Sequence, residues 1–228
     1  MPSTVTIDGV EFTRYVQSTF KIKSNRLTIW VDPHRIGAKE VGADKADLVL
    51  ITHPHPDHLD PNAIKACAKK ETIIITNPAV EAQLPQDVKG IWKVVAIKAG
   101  QSTDQKGSHI KAFAGYNQFH PKEQGFNTMF LFTIGGKIVL HCGDTNKVEE
   151  MGQLGQVDIA LVPIGGTYTC DETEAASAVN DLIKPKVVIP MHYGYATGGD
   201  PHKFKGLVKG ARVEILDPVL NVKFEWSR

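Results

Sequence analysis

The amino-acid sequence predicts an α+β fold of four layers, αββα, with two β-sheets packed face to face and helices on both outer sides. Three observations carry this. Strand-like apolar segments, helical segments, strands, helices and closing strands follow one another along the chain. No proline- or serine-rich linker and no repeat visible by eye divides the 228 residues, so one domain over 1–228 is expected. A hydrophobic content of 42% is enough for a full core.

Each element has its own signal. In the first thirty residues Val5–Ile7, Phe12, Val16, Phe20–Ile22 and Leu27–Val31 read as short strands, with turns at Asp8-Gly9 and Ser24-Asn25. Val31-Asp32-Pro33 ends a strand at a proline. Leu48 to Ile51 reads as a buried strand, and Pro61 opens a helix with Ala63, Ile64 and Cys67 on one face. Thr72 to Thr76 is a β-branched strand and Pro78 to Leu84 a short helix. Val94 to Ile97 and His109 to Ala114 are further strands. Thr128 to Ile134 and Lys137 to Leu140 flank Gly135-Gly136 as a hairpin, and Asp158 to Val162 is another apolar strand. Thr169-Cys170-Asp171-Glu172 has a capping-box pattern ahead of a helix with Ala175, Val179, Leu182 and Ile183 inward. Val187 to Ile189 is a strand ending at Pro190. Pro201 to Lys209 is a helix, and Val213 to Leu216 and Val219 to Phe224 are terminal strands.

Composition narrows the function classes. Twenty-six basic residues against 25 acidic ones leave a formal net charge of +1, which gives no basis for a long nucleic-acid partner. No apolar run reaches the length of a membrane span, and the first residues lack the basic and apolar blocks of a signal peptide. The 3 cysteines, Cys67, Cys142 and Cys170, are widely spaced without a CxxC, which fits free thiols and a cytoplasmic location.

The chemistry concentrates in Thr52-His53-Pro54-His55-Pro56-Asp57-His58, directly after the strand at Leu48–Ile51. Three imidazoles and a carboxylate on a loop fixed by a strand are a donor set for zinc, and also for manganese or iron. Three later segments share the logic: His120 in Asn117-Gln118-Phe119-His120-Pro121, Asp144 in His141-Cys142-Gly143-Asp144-Thr145, and His192 in Pro190-Met191-His192-Tyr193-Gly194. Each is a metal-capable side chain in a Gly- or Pro-bearing loop after an apolar strand. Together, His53, His55, His58, His120, His192, Asp57 and Asp144 suffice for two divalent metal ions. His141 stands near Asp144 and reads equally as a residue donating to a ligand or backbone and as a packed strand-end histidine. Cys142 reads as a small packed residue, and His34, His109 and His202 as surface or structural histidines. Tyr168, Tyr193, Tyr195 and Lys122 are candidates for the pocket wall, with packing or solvation as plain alternatives.

His53-x-His55-x-Asp57-His58, Gly143-Asp144-Thr145 and Pro190-Met191-His192-Tyr193-Gly194 together resemble the metallo-β-lactamase superfamily. Within it, Val162 to Thr169 and Lys184 to His192 are similar to the ascorbate-phosphate-lactonase-like group of metal-dependent hydrolases. The likeness spans roughly residues 5 to 200. It implies an αββα fold with a two-metal site at the sheet edge. His53 and His55 would hold one metal, Asp57, His58 and His192 the other, and Asp144 would bridge them. Many relatives carry a histidine at the strand end where this chain has Asn117, so His120 is the expected replacement.

The expected activity is that of a binuclear metal-dependent hydrolase, in which hydroxide generated at the metals attacks a lactone, an ester or, second, a phosphodiester. Asp57 would orient the nucleophile as well as bind metal. The partner is a small-molecule substrate, and no interface pattern fixes the oligomeric state. A non-catalytic metal-binding protein of the same fold is the alternative, motivated by the departure at Asn117. A diiron redox role ranks last, because the extra carboxylate and flavin domain it calls for are not apparent.

Overall fold

The computed structural model describes residues 1–222 and 224. The first sheet takes seven strands in chain order: β1 (Thr4–Ile7), β2 (Val10–Arg14), β3 (Phe20–Lys23), β4 (Thr28–Val31), β5 (Ala46–Leu50), β6 (Ala68–Thr76) and β7 (Lys93–Ala96). The second takes the other seven: β8 (Ser102–Gln105), β9 (Ser108–Gly115), β10 (Asn127–Ile134), β11 (Lys137–His141), β12 (Ile159–Pro163), β13 (Val187–Met191) and β14 (Arg212–Val213). Within each sheet the first four strands are antiparallel neighbours and the last four parallel ones. The two halves therefore repeat one topology that the sequence does not display as a repeat.

Among the described residues six α-helices accompany the sheets: α1 (Ala38–Val41), α2 (Pro61–Cys67), α3 (Pro78–Gln83), α4 (Gln86–Lys89), α5 (Glu172–Ala178) and α6 (Pro201–Leu207). Strand periodicity explains the layering. Leu48 and Leu50 of β5 join the core that includes Phe130, Phe132 and Leu140 of the second sheet. Val49 and Ile51 point the other way, into a cluster with Ala63, Ile64, Val80 and Val88 of the helices. Both faces of the central parallel strands are thus covered, which is why they read as continuous apolar runs. None of the described helices is long and apolar enough to cross a membrane.

Several elements differ from the sequence-based expectation. The strand β8, Ser-Thr-Asp-Gln, has no apolar alternation because it is an edge strand paired only with β9. The helices α1 and α4 are single turns of four residues, too short to show a period. The cap of α5 is Asp171, which accepts from Glu174 N, so the cap lies two residues past the Thr169 of the predicted box. After α5 the chain continues as a π-helical turn over Val179–Ile183, closed by Lys184 N donating to Val179 O. Among the described residues of the C-terminus only Arg212–Val213 forms a strand. The expected strand from Val219 to Phe224 is replaced over 219–222 by irregular chain, whose Val219 and Leu220 N–H groups donate to Arg14 O and Tyr15 O. Lys223 of that segment lies outside the described residues.

Candidate metal centre

The functional loops leave the C-terminal ends of β4, β5, β11 and β13 and meet above the junction of the two sheets. The loop after β5 carries His53, His55, Asp57 and His58. The chain after β9 carries Asn117 and His120, joined by an isolated antiparallel bridge. Asp144 follows β11 and His192 follows β13. Gly143 makes the turn to Asp144 with φ +59°, and a Cβ there would collide with Asn127 Oδ1 and Thr52. Asn127 Oδ1 in turn accepts the Asp144 N–H at 3.1 Å.

The expected residues come together. His53, His55 and His120 form one group, His53, His58 and Asp144 a second, and Asp57, His58 and His192 a third, each with ligand atoms within 4.8 Å of one another. His53 Nε2 lies 3.7 Å from Asp144 Oδ2, His58 Nε2 3.3 Å from Asp144 Oδ1, and His192 Nε2 3.0 Å from Asp144 Oδ2. His120 Nε2 lies 3.1 Å from His55 Nδ1. The loop does bend back, so His120 stands beside His53 and His55 with ring centroids 4.8 Å from each. Asn117 is the support: its Oδ1 accepts His120 Nδ1 at 2.8 Å.

Hydrogen-bond counting fixes which nitrogen faces inward. Thr52 Oγ1 donates to Asp32 Oδ2 at 2.7 Å, so it can only accept from His53 Nδ1 at 3.0 Å. His58 Nδ1 donates to the same Asp32 oxygen at 2.7 Å. Thr197 Oγ1 donates to His192 O at 2.9 Å, which leaves it as the acceptor for His192 Nδ1 at 3.3 Å. Four imidazoles therefore spend Nδ1 on the protein and turn Nε2 into the site. His53 Nε2, His58 Nε2 and Asp144 Oδ1 are buried there with no hydrogen-bond partner. Convergent unpartnered lone pairs beside a buried carboxylate suit a cation, and the outward bonds are those that orient metal-binding imidazoles.

The electrostatics agree. Burial, reinforced by His58, pushes His53 well below the usual histidine range. Burial likewise takes His120 down to about 4. Burial would raise Asp144, but His192, His58 and His53 outweigh it and hold the carboxyl well below the usual carboxylate range. At His58 burial is outweighed by Asp144, Asp57 and Asp32, which raise it well above the ordinary value. The carboxylates that raise His58 would equally attract a cation to this site.

Other residues fall differently. His141 is buried with Nε2 donating to Ser18 O at 3.0 Å and Nδ1 accepting from Gly143 N at 3.2 Å. Both nitrogens serve backbone, so it shapes the turn before Asp144. Cys142 is buried, and burial pushes its thiol up. Tyr168 and Tyr195 line a cavity of about 290 Å³ beside His55, Asp57, Asp144 and His192. Tyr193 instead packs under the Arg14 guanidinium, 3.9 Å from its ring centre. Lys122 pairs with Glu150 at 2.6 Å. His109 is exposed beside Asp104 and His202 is exposed on α6, whereas His34 joins the cavity wall.

Sequence reasoning missed several side chains of the centre, Thr197 and Asn127 among them. Asp32 tethers Thr52 and His58 together, and its only signal was a strand stopping at Asp-Pro. Gln17 reaches Asp57 Oδ2 at 3.1 Å and His192 Nε2 at 3.0 Å from the loop between β2 and β3. Phe126 lays its ring 5.0 to 6.1 Å from those of His55, His120 and His53. Gln17, Asp32 and His192 all hold left-handed backbone, with φ of 52°, 45° and 57°, and strain of this kind in non-glycine residues concentrates at functional sites.

The model of the beta-lactamase superfamily domain matches residues 11–192, most of the chain. The chain belongs to the metallo-β-lactamase superfamily. Within the superfamily it is 37% identical over 203 residues to a UPF0173 protein of Pyrococcus abyssi, covering 89% of this chain and 92% of that protein. It is 34% identical over 191 residues to a UPF0173 metal-dependent hydrolase of Nitratidesulfovibrio vulgaris, covering 78% and 77%. Among solved structures, Igni18, a metallo hydrolase of the archaeon Ignicoccus hospitalis, superposes with a TM-score of 0.75 at 28% identity, covering 96% of this chain and 99% of that one. The paired sheets with outer helices are the superfamily fold.

Proposed function

We propose that this protein is a metal-dependent hydrolase with a binuclear centre, acting on a small lactone or carboxylic ester. The observation that carries the reading is the set of inward Nε2 lone pairs, held from behind by Asp32, Thr52, Asn117 and Thr197, around the unpartnered Asp144 Oδ1. His53, His55 and His120 would hold one cation and Asp57, His58 and His192 the other, with Asp144 between them. Nitrogen and carboxylate donors favour zinc, with manganese or iron as alternatives. When bound, two such ions supply Lewis acidity and bring the pKa of water toward neutrality.

The protein's own groups do the rest. Asp57 accepts from Gln17 and stands half-buried at the cavity, placed to orient a water for attack. Pro56, Tyr168, Tyr195, Ala196 and Phe224 give the cavity an apolar wall, which suits an acyl chain or lactone ring and ranks a phosphodiester second. The relatives named metal-dependent hydrolases support the same class of activity. The place of His120 beside His55 supports the catalytic reading over a degenerate, non-catalytic site.

The test is metal content by mass spectrometry on protein purified without chelator, followed by a screen of lactones, esters and phosphodiesters. Two equivalents of metal per chain and turnover of a lactone or ester are expected. Full activity retained in His55→Ala would overturn the reading.

A further inference from the structure

Gln17 is 99% buried, yet its carboxamide is not satisfied as a packing residue would be. Its Oε1 is buried with no hydrogen-bond partner, a cost that an apolar side chain of the same size would avoid. The backbone around it is pinned on three sides. Gln17 O accepts from His192 N at 3.1 Å, Ser18 O from His141 Nε2 at 3.0 Å, and Thr19 Oγ1 donates to Asp32 O at 2.7 Å. A left-handed φ of 52° at Gln17 aims the side chain at the site. The amide orientation follows from charge, because the reverse would set its oxygen against the Asp57 carboxylate at 3.1 Å.

The amide nitrogen carries two N–H groups. One goes to Asp57 Oδ2. The other lies 3.0 Å from His192 Nε2, which also stands 3.0 Å from Asp144 Oδ2 and accepts from Gln17 in the tautomer that keeps its proton on Nδ1, toward Thr197. A metal on His192 takes that lone pair and leaves the second N–H without an acceptor, inside the cavity that Gln17 lines. Resting on the metal-centre reading above, we propose that the Gln17 carboxamide is a donor of the reacting centre, capping His192 in the metal-free protein and turned to the substrate oxygen that gains negative charge once metal binds. Buried donors aimed at developing charge are worth about 10²–10³-fold in turnover.

The test needs no known substrate. In protein with ¹⁵N-labelled glutamine side chains, zinc is added to the metal-free form, and then butylphosphonate as a tetrahedral anion. Zinc should shift one Gln17 amide proton strongly and the other little, and the phosphonate should then shift that same proton. Gln17→Met and Gln17→Glu, the second kept in case the first misfolds, should bind zinc to the same stoichiometry. Both should bind butylphosphonate at least about tenfold more weakly. Zinc binding with both amide protons unmoved, or undiminished phosphonate affinity in both variants, would overturn the role of Gln17 and leave the metal centre standing. Failure of the unmodified protein to take up zinc, manganese or iron would overturn both.

Discussion

The two halves of this molecule share a strand order and are unlike in what they bring to its centre. In each, three antiparallel pairings are followed by three parallel ones, so β4, β5 and β6 correspond to β11, β12 and β13. The first half puts His53, His55, Asp57 and His58 into one loop after β5. The second spreads His120, Asp144 and His192 over three loops, and after β12, the counterpart of β5, it has Gly165-Gly166. The strand ends after β4 and β11 both carry a buried aspartate, Asp32 and Asp144, with opposite duties. Asp32 is saturated by Thr52 N, Thr52 Oγ1 and His58 Nδ1, whereas Asp144 leaves Oδ1 without a partner. One topology used twice yields a support on one side and a ligand candidate on the other.

The largest effect should separate those two aspartates. Asp144→Ala is expected to take turnover to background and to lower metal content, with folding retained. Asp32→Asn keeps the shape but weakens the acceptor for His58 and Thr52. It should reduce metal affinity about 10–100-fold, as loss of an outer partner does, while turnover recovers at saturating metal. Titration against a competing chelator, with activity read at high zinc, checks both. Equal behaviour of the two variants would break the distinction between them.

Next comes the empty counterpart of the histidine loop. A Cβ on Gly165 would run into His192 O and Thr197 Oγ1 and lie 2.8 Å from His192 Nδ1. Gly165→Ala should therefore push His192 off position, destabilise the protein by about 1–3 kcal/mol and weaken metal binding. Gly166→Ala, whose nearest neighbour is Asp171 Cβ at 3.7 Å, meets no such wall, although its φ of +85° still strains it. Thermal unfolding with and without zinc reads the difference. A zinc-dependent Tm gap in Gly165→Ala and none in Gly166→Ala is the expected pattern.

The asymmetry also explains what the sequence let one read. The first half announces itself because its candidate ligands are local, four within six residues after one strand. His120, Asp144 and His192 were legible only as repeats of that logic at other strand ends, and their grouping rested on resemblance. Asp32 and Gln17 gave no chemical signal, because their roles come from contacts across 26 and 175 positions of chain, made by the fold. The strand β8 escaped because an edge strand can be wholly polar. The segment at 219–222 reads as a strand because it is apolar, but only Leu220 packs against the core, and its backbone is held by Arg14 O and Tyr15 O at the end of β2, a contact that no local period encodes.

The smallest effect compares the helices that follow the two corresponding loops. Asp60 caps α2 after the histidine loop, accepting from Asn62 N, Ala63 N and Arg35 N with His34 at 3.6 Å. Asp171 caps α5 with a single bond, to Glu174 N. Removing either cap costs about 0.5–2 kcal/mol, so Asp60→Ala should fall at the upper end and Asp171→Ala at the lower. Asp60 also brings a pH signature. Burial would raise its carboxyl, but the nearby His34 ring and the backbone bonds from Arg35 and Ala63 outweigh it and lower it from 3.8 to about 2. A carboxyl lowered on folding stabilises fully above its unfolded pKa and loses that contribution as pH falls through the folded value. The gap in urea midpoint between the unmodified protein and Asp60→Ala should therefore be full at pH 5 to 7 and close as pH falls from about 4 toward 2. A gap that stayed constant over that window would mean that Asp60 acts through its size and not its charge, and the first half's tighter hold on its loop would need another cause.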